Sequence, residues 1–207
     1  MSDEARDVAD IPAQADNRAL VVVDVQPTFC EGGELPVAGG NATADRIAAY
    51  LADAADNYRL IVTTQDWHIE PGSHFSTTPD FVDTWPPHGI AGTPNAELHP
   101  AIAKAISALP RVVSLRKGAY QAAYSGFEAT DDAGHDLAWH LAANDIREVD
   151  ICGIAESHCV KATALDGARL GYRVTVLTDL TVPVTPELGE QARSEMLAAG
   201  VRLRRAA

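Results

Sequence analysis

Five short apolar runs rich in β-branched residues punctuate the chain: Ala19–Val25 (ALVVVDV), Leu60–Thr64, Val112–Leu115, Val149–Ile154 and Val174–Leu177. A sixth, Val201–Leu203, is weaker. Runs of this kind between turn signals are strands. The first and fifth are almost continuously apolar, the pattern of a strand covered on both faces. Helical patterns lie between them. Thr43–Ala55 sets Ile47, Leu51 and Ala54 or Ala55 on one face, with Thr43 as the predicted N-cap. Asp132–Asn144 does the same with Leu137 and Leu141. Ser157–Leu170 stops before Gly171, and Pro186–Ala199 opens on Thr185 and Pro186 and stops at Gly200. Strands alternating with such helices require crossover connections. The expected fold is therefore α/β: a three-layer α/β/α sandwich around a mainly parallel six-stranded sheet.

The chain has 207 residues, 46% of them hydrophobic and 22% charged. One domain over 18–207 is expected, preceded by a mobile lead-in at 1–17. The formal charge of −13 repels phosphate backbones and anionic lipid surfaces, so neither nucleic acid nor membrane is an expected partner. No apolar run approaches the ~20 residues of a membrane span. The first residues lack the basic and apolar regions of a signal peptide. Three cysteines, Cys30, Cys152 and Cys159, cannot all pair within the chain. That odd count favours a reducing compartment, and a cytoplasmic location is expected.

Asp66–Pro100 breaks the alternation. It is long, rich in Pro, Gly, His and Thr, and lacks helical periodicity; such loops in a compact domain usually carry function. It holds four possible metal ligands: Asp66, His68, His74 and His88. Asp66 follows a strand, at the sheet edge where α/β proteins build their sites. In an extended segment Asp66 and His68 project to the same side. Three imidazoles with a carboxylate suit Zn²⁺, Fe²⁺ or Mn²⁺. Spacing alone does not separate this from a set of solvated loop histidines.

Cys159 lies where the strand VDICGI turns into a helix. A helix N-terminus favours a thiolate, and its free N–H groups can hold an oxyanion. Cys152, inside the strand, reads as a core residue, and Cys30 as structural. A thiol nucleophile needs a base and electrostatic support. Asp24 ends an otherwise apolar strand, where burial would raise its pKa and make it a better base. Lys117 follows the third strand and could pair with Asp24, whereas Arg116 reads as surface charge. The ends of parallel strands gather Asp24, Asp66, Lys117 and Cys159 on one edge.

These segments, VVVDVQPTFCEGGELPV, QDWHIEPGSHFS, TWPPHGIAGTPNAELHP, KGAYQAAYSGF and GIAESHCVKATALDG, resemble in order and spacing the nicotinamidase/pyrazinamidase family of the isochorismatase-like cysteine hydrolases. The resemblance implies the isochorismatase-like hydrolase fold and an Asp24–Lys117–Cys159 catalytic triad. It implies one divalent metal ion (Zn, Fe or Mn) on Asp66, His68, His74 and His88, completed by water. Backbone N–H groups of Ala155 and Cys159 would form an oxyanion hole, after a cis peptide between Ile154 and Ala155. Phe29, Trp85, Tyr120, Tyr124, Ile154 and His158 would line the substrate pocket. Gly89 departs from the many relatives with a cysteine after the last ligand histidine. The implied reaction converts nicotinamide to nicotinate and ammonia in NAD salvage, with pyrazinamide as a second substrate. The rival reading is a related hydrolase of carbamoyl or ureido compounds. Such relatives commonly lack the metal, so the histidine loop argues against it. Relatives range from monomer to tetramer, so a monomer or homo-oligomer is expected.

Overall fold

The computed structural model describes residues 17–206. Of the expected lead-in, all but Asn17 lies outside the described residues. β1 (Arg18–Val23) sits near the middle of the sheet, between β2 (Leu60–Asp66) and β4 (Glu148–Ile154). Its central valine, Val21, pairs with Val62 on one side and Ile151 on the other. The full order is β3-β2-β1-β4-β5-β6, with β3 (Val112–Lys117), β5 (Arg173–Val182) and β6 (Arg202–Arg204) completing it. Each adjacent pair is parallel. The sheet is thus wholly rather than mainly parallel.

Side chains alternate across a strand, so β1 feeds two cores at once. Ala19, Val21 and Val23 pack with Leu137, Leu141, Ala164 and Met196. Leu20 and Val22 pack with Ile47, Leu51 and Ile102 on the opposite face. Helices α1 (Gly40–Ala54) and α2 (Pro100–Ile106) therefore cover one side. Helices α3 (Leu137–Ala143), α4 (Lys161–Arg169) and α5 (Pro186–Ala198) cover the other. The expected three layers are present.

Four helix starts differ from expectation, one of them α4, which begins at Lys161 rather than Ser157. α1 begins at Gly40, so Thr43 lies inside the helix and its hydroxyl donates to Gly39 O. The capping acceptor is remote in sequence: the Glu31 carboxylate accepts from the N–H groups of Gly39 (2.6 Å) and Asn41 (2.9 Å). α3 begins at Leu137, capped by Asp136, because 132–135 form a turn closed on Asp131. α2 was not anticipated. His99 caps it, accepting from Ala101 N, and Ile102 is its only buried residue.

Candidate active site

β2 and β3 both run further than their apolar runs and end as a register pair, Asp66 opposite Lys117. Asp24 comes directly after β1 with a left-handed backbone (φ 46°), uncommon for a residue with a side chain. Its N–H donates to Thr64 O, and its Oδ1 accepts from the Thr64 hydroxyl at 2.7 Å. Its Oδ2 faces Lys117 Nζ at 3.0 Å and has no donor of its own. Lys117 is fully buried, and burying an unpaired ammonium is costly. Here it donates to Asp66 Oδ1 and to Ala123 O (3.0 Å), and lies 3.8 Å from Cys159 Sγ. The structure thus brings Asp24, Lys117 and Cys159 together.

The turn that carries Cys159 opens with a cis Ile154–Ala155 peptide and continues as a single π-helical turn, Glu156–Val160, ahead of α4. His158 N and Val160 N both donate to Ala155 O. Beneath it Glu156 is completely buried and forms a bidentate pair with Arg193 of α5, at 2.7 and 2.8 Å. That pair moors the turn, because the half-exposed Arg193 is what compensates the buried Glu156 carboxylate. Gly153 supplies the close approach at the end of β4: a Cβ there would lie 2.1 Å from Val23 O.

His68, His74 and His88 converge so that one nitrogen from each lies within 4.8 Å of the others. Ring centroids are 4.9–5.4 Å apart. Nδ1 of His68 donates to Gly118 O (2.6 Å) and Nδ1 of His88 to Pro86 O (2.8 Å). Each bond fixes a tautomer that leaves Nε2 as a lone pair. Both Nε2 atoms face Asp66 Oδ2, at 3.6 and 3.7 Å. His68 Nε2 and His74 Nδ1 are buried without a hydrogen-bond partner. Buried nitrogens stay unsatisfied only at a cost. The donor set fits a divalent cation, with Asp66 shared between the histidines and Lys117.

The two halves meet at a pocket of about 640 Å³ whose walls include Asp66, His74, His88, Ile154, Ala155, His158 and Cys159. Apolar residues form most of its lining, among them Phe29, Leu35, Phe81, Trp85 and Tyr124. Trp85 donates its indole N–H to the Tyr124 hydroxyl (2.9 Å) and packs edge-on against His158. Tyr120 is a correction. It is 70% exposed and borders a separate groove beside Trp67. The chain turns at Gly118 (φ 77°), where a Cβ would strike the His68 ring at 2.6 Å, and this turn carries Tyr120 outward.

The model of the isochorismatase domain matches residues 18–207. The chain belongs to the isochorismatase family. Within it, the chain is 49% identical to the nicotinamidase/pyrazinamidase of Mycobacterium tuberculosis over 90% of its own length and 97% of the relative's. It is 34% identical to the Escherichia coli nicotinamidase, covering 90% and 93%. Among solved structures it superposes on the pyrazinamidase of Pyrococcus horikoshii in complex with zinc, with a TM-score of 0.76 and 36% identity, covering 91% of this chain and 99% of that one. PnC1 from L. infantum in complex with nicotinate gives 0.80 at 33% identity, covering 95% and 96%.

Electrostatics in this member of the family set the protons. Burial raises the pKa of Asp24, against the pull of Lys117. Burial alone would lower Lys117, yet Asp24 and Asp66 together hold it well above its ordinary value. Asp66 is the reverse case: burial pushes it up, but Lys117 and the histidines carry it well below the carboxylate range. The helix start favours a thiolate, and the surroundings of Cys159 oppose it. Burial, with Asp24 and Asp66, outweighs Lys117 and raises Cys159 well above an ordinary thiol. Cys159 rests as a thiol and needs a base to activate it. Burial and the neighbouring histidines lower His74 to about 4, keeping it neutral and able to donate a lone pair.

Three supports escaped the sequence reading. Gln26 is wholly buried, accepts from Asp66 N and donates to Asp66 O, both at 2.9 Å, clamping the backbone of that residue. Thr64 orients Asp24, and Glu156 anchors the cysteine turn. A glutamine two residues after an aspartate and a threonine within a strand carry no spacing signal. The charge of Glu156, next to Ala155 in a buried strand-to-helix turn, was the one available clue.

Proposed function

We propose that this protein hydrolyses the carboxamide of nicotinamide to nicotinate and ammonia, in NAD salvage, and acts on pyrazinamide in the same way. The observation that carries the reading is the approach of Lys117 Nζ to both Asp24 Oδ2 (3.0 Å) and Cys159 Sγ (3.8 Å), beside three converging histidines in an apolar pocket. The identity to nicotinamidases supports it.

Asp24 Oδ2 accepts the Cys159 proton as the sulfur attacks the carboxamide carbon. The N–H groups of Ala155 and Cys159 receive the oxyanion. Collapse of the adduct expels ammonia, which takes its proton back from Asp24, and leaves a thioester on Cys159. Asp24 then takes a proton from an entering water as that water attacks the thioester. Nicotinate departs and the proton returns to sulfur. Lys117 remains a cation throughout and offsets the charge passing between Asp24 and Cys159. Phe29, Trp85 and Tyr124 hold the planar ring so that its carboxamide meets the sulfur. Asp66, His68, His74 and His88 would hold a divalent ion (Zn, Fe or Mn). When bound, that ion supplies a Lewis acid for the ring nitrogen or for water. A cytoplasmic location goes with this reading, supported by three cysteines that are unpaired and buried.

Ammonia release from nicotinamide and pyrazinamide tests the proposal. Both amides should yield ammonia. Cys159→Ala should lower the rate by about 10³-fold or more while metal content holds. Activity surviving in that variant removes the nucleophile assignment. Turnover confined to ureido compounds removes the substrate assignment.

A further inference from the structure

A second group of metal-ligating side chains lies outside the catalytic pocket. Asp131, from the loop after β3, and His135 and His140, flanking the start of α3, bring one donor atom each within 4.8 Å of the others. Both ring nitrogens face the same carboxylate oxygen: His135 Nδ1 lies 3.4 Å and His140 Nε2 3.0 Å from Asp131 Oδ2. Ligands held about 2.0–2.2 Å from a tetrahedral zinc sit roughly 3.3–3.5 Å from one another. Both carboxylate–nitrogen distances are thus already close to those between ligands of one ion, and the two ring nitrogens lie within 4.8 Å of each other.

The carboxylate is already aimed. Asp131 Oδ1 accepts from the N–H groups of Ala133 and His135, both at 2.9 Å, which leaves Oδ2 for the histidines. The rings are fixed as well. Trp139 stacks on His135 at 3.8 Å and 18° and meets His140 edge-on at 4.9 Å. One side is open to water, since the His135 side chain is 40% exposed while that of His140 is 10% exposed. Two imidazoles, one carboxylate and access for a solvent ligand form the donor set of an open zinc site.

We propose that Asp131, His135 and His140 bind a second divalent cation, of the zinc class, independently of the catalytic histidines. On binding, the proton on each ring nitrogen that faces Asp131 leaves that atom, which becomes a ligand. The ion would tie the Asp131–His135 turn to α3. That turn follows Thr130, which is bridged to Arg116, the neighbour of Lys117. Occupancy would therefore also brace the strand end that carries the catalytic lysine.

The test is zinc stoichiometry on the full chain, by equilibrium dialysis and elemental analysis, in four proteins: wild type, His135→Gln, His74→Ala and the double variant. His135→Gln keeps a polar side chain at a partly exposed position, and its nicotinamide hydrolysis at saturating zinc reports that it is folded. The site predicts that His135→Gln removes one zinc per chain in the wild-type background and one again in the His74→Ala background. Zinc should also raise Tm more in His74→Ala than in the double variant. An unchanged zinc count on His135→Gln in both backgrounds overturns the proposal. Loss of zinc on His74→Ala alone bears only on the catalytic site, so the two readings fail separately.

Discussion

The two halves of the pocket solve the problem of buried polarity in opposite ways. On the strand side, Asp24, Asp66 and Lys117 partner one another, and the single ammonium answers two carboxylates and a thiol. On the loop side, His68 and His74 keep buried nitrogens with no partner. The first half is balanced in charge by protein groups alone, with one oxygen, Asp24 Oδ2, facing the ammonium but free of any hydrogen-bond donor. The second is prepared for something that is not protein. The difference also divides the labour, because the free oxygen of Asp24 can take a proton from the neighbouring thiol, whereas the converging histidine nitrogens offer lone pairs to a cation.

Substitutions that remove the lysine break this contrast most forcefully. Lys117→Met leaves two carboxylates buried without their cation, and breaking such a pair costs about 3–5 kcal/mol. Urea unfolding should register that loss, and hydrolysis should disappear with it. A variant as stable as wild type would mean that the strand side is not held by its internal charges. His74→Ala is the counterpart. In metal-free protein it should change stability by only about 1 kcal/mol, because the nitrogen it removes has no hydrogen bond to lose. Its metal affinity should fall at least about 10-fold by equilibrium dialysis. A large loss of stability without metal would show that the histidines are structural after all. The pocket wall gives the smallest effects. Tyr124→Phe strands the Trp85 N–H, a cost of about 1–2 kcal/mol, and should raise the KM for nicotinamide severalfold. Tyr120→Ala should leave KM unchanged and stability within about 0.5 kcal/mol. A KM effect there would return Tyr120 to the pocket.

The layered fold was legible because β-branched runs and crossover helices leave a periodic trace. Asp24, Asp66 and Lys117 were legible for the same reason: each is a charged residue at the end of an apolar strand. Helix starts were less so. Glu31 caps α1 from eight and ten residues away, and propensity at Thr43 could not compete with a contact made through tertiary structure. Tyr120 and Tyr124 were indistinguishable as aromatic residues in one irregular loop. The left-handed turn at Gly118 separates them, and its need for glycine comes from the His68 ring beside it. The need of Cys159 for a base was legible, but its cause was not: a helix start is a local feature, whereas burial and two carboxylates belong to the assembled site.

The sheet order also acts as a ruler. Lys117 and Asp66 end β3 and β2, Asp24 directly follows β1 and Cys159 lies in the turn after β4; the four strands are neighbours in space, although the chain visits them in a different sequence. With strands about 4.8 Å apart, the outer two stand roughly 14 Å from each other. Only a long side chain reaching across the two intervening strands can bring charge from β3 toward the sulfur beyond β4. The cation must therefore be a lysine-length group at the outer position, while the base beneath it can be as short as aspartate. An enzyme redesigned on this frame is free to change its pocket walls, but the reach of each reacting group is set by the spacing of hydrogen-bonded backbone.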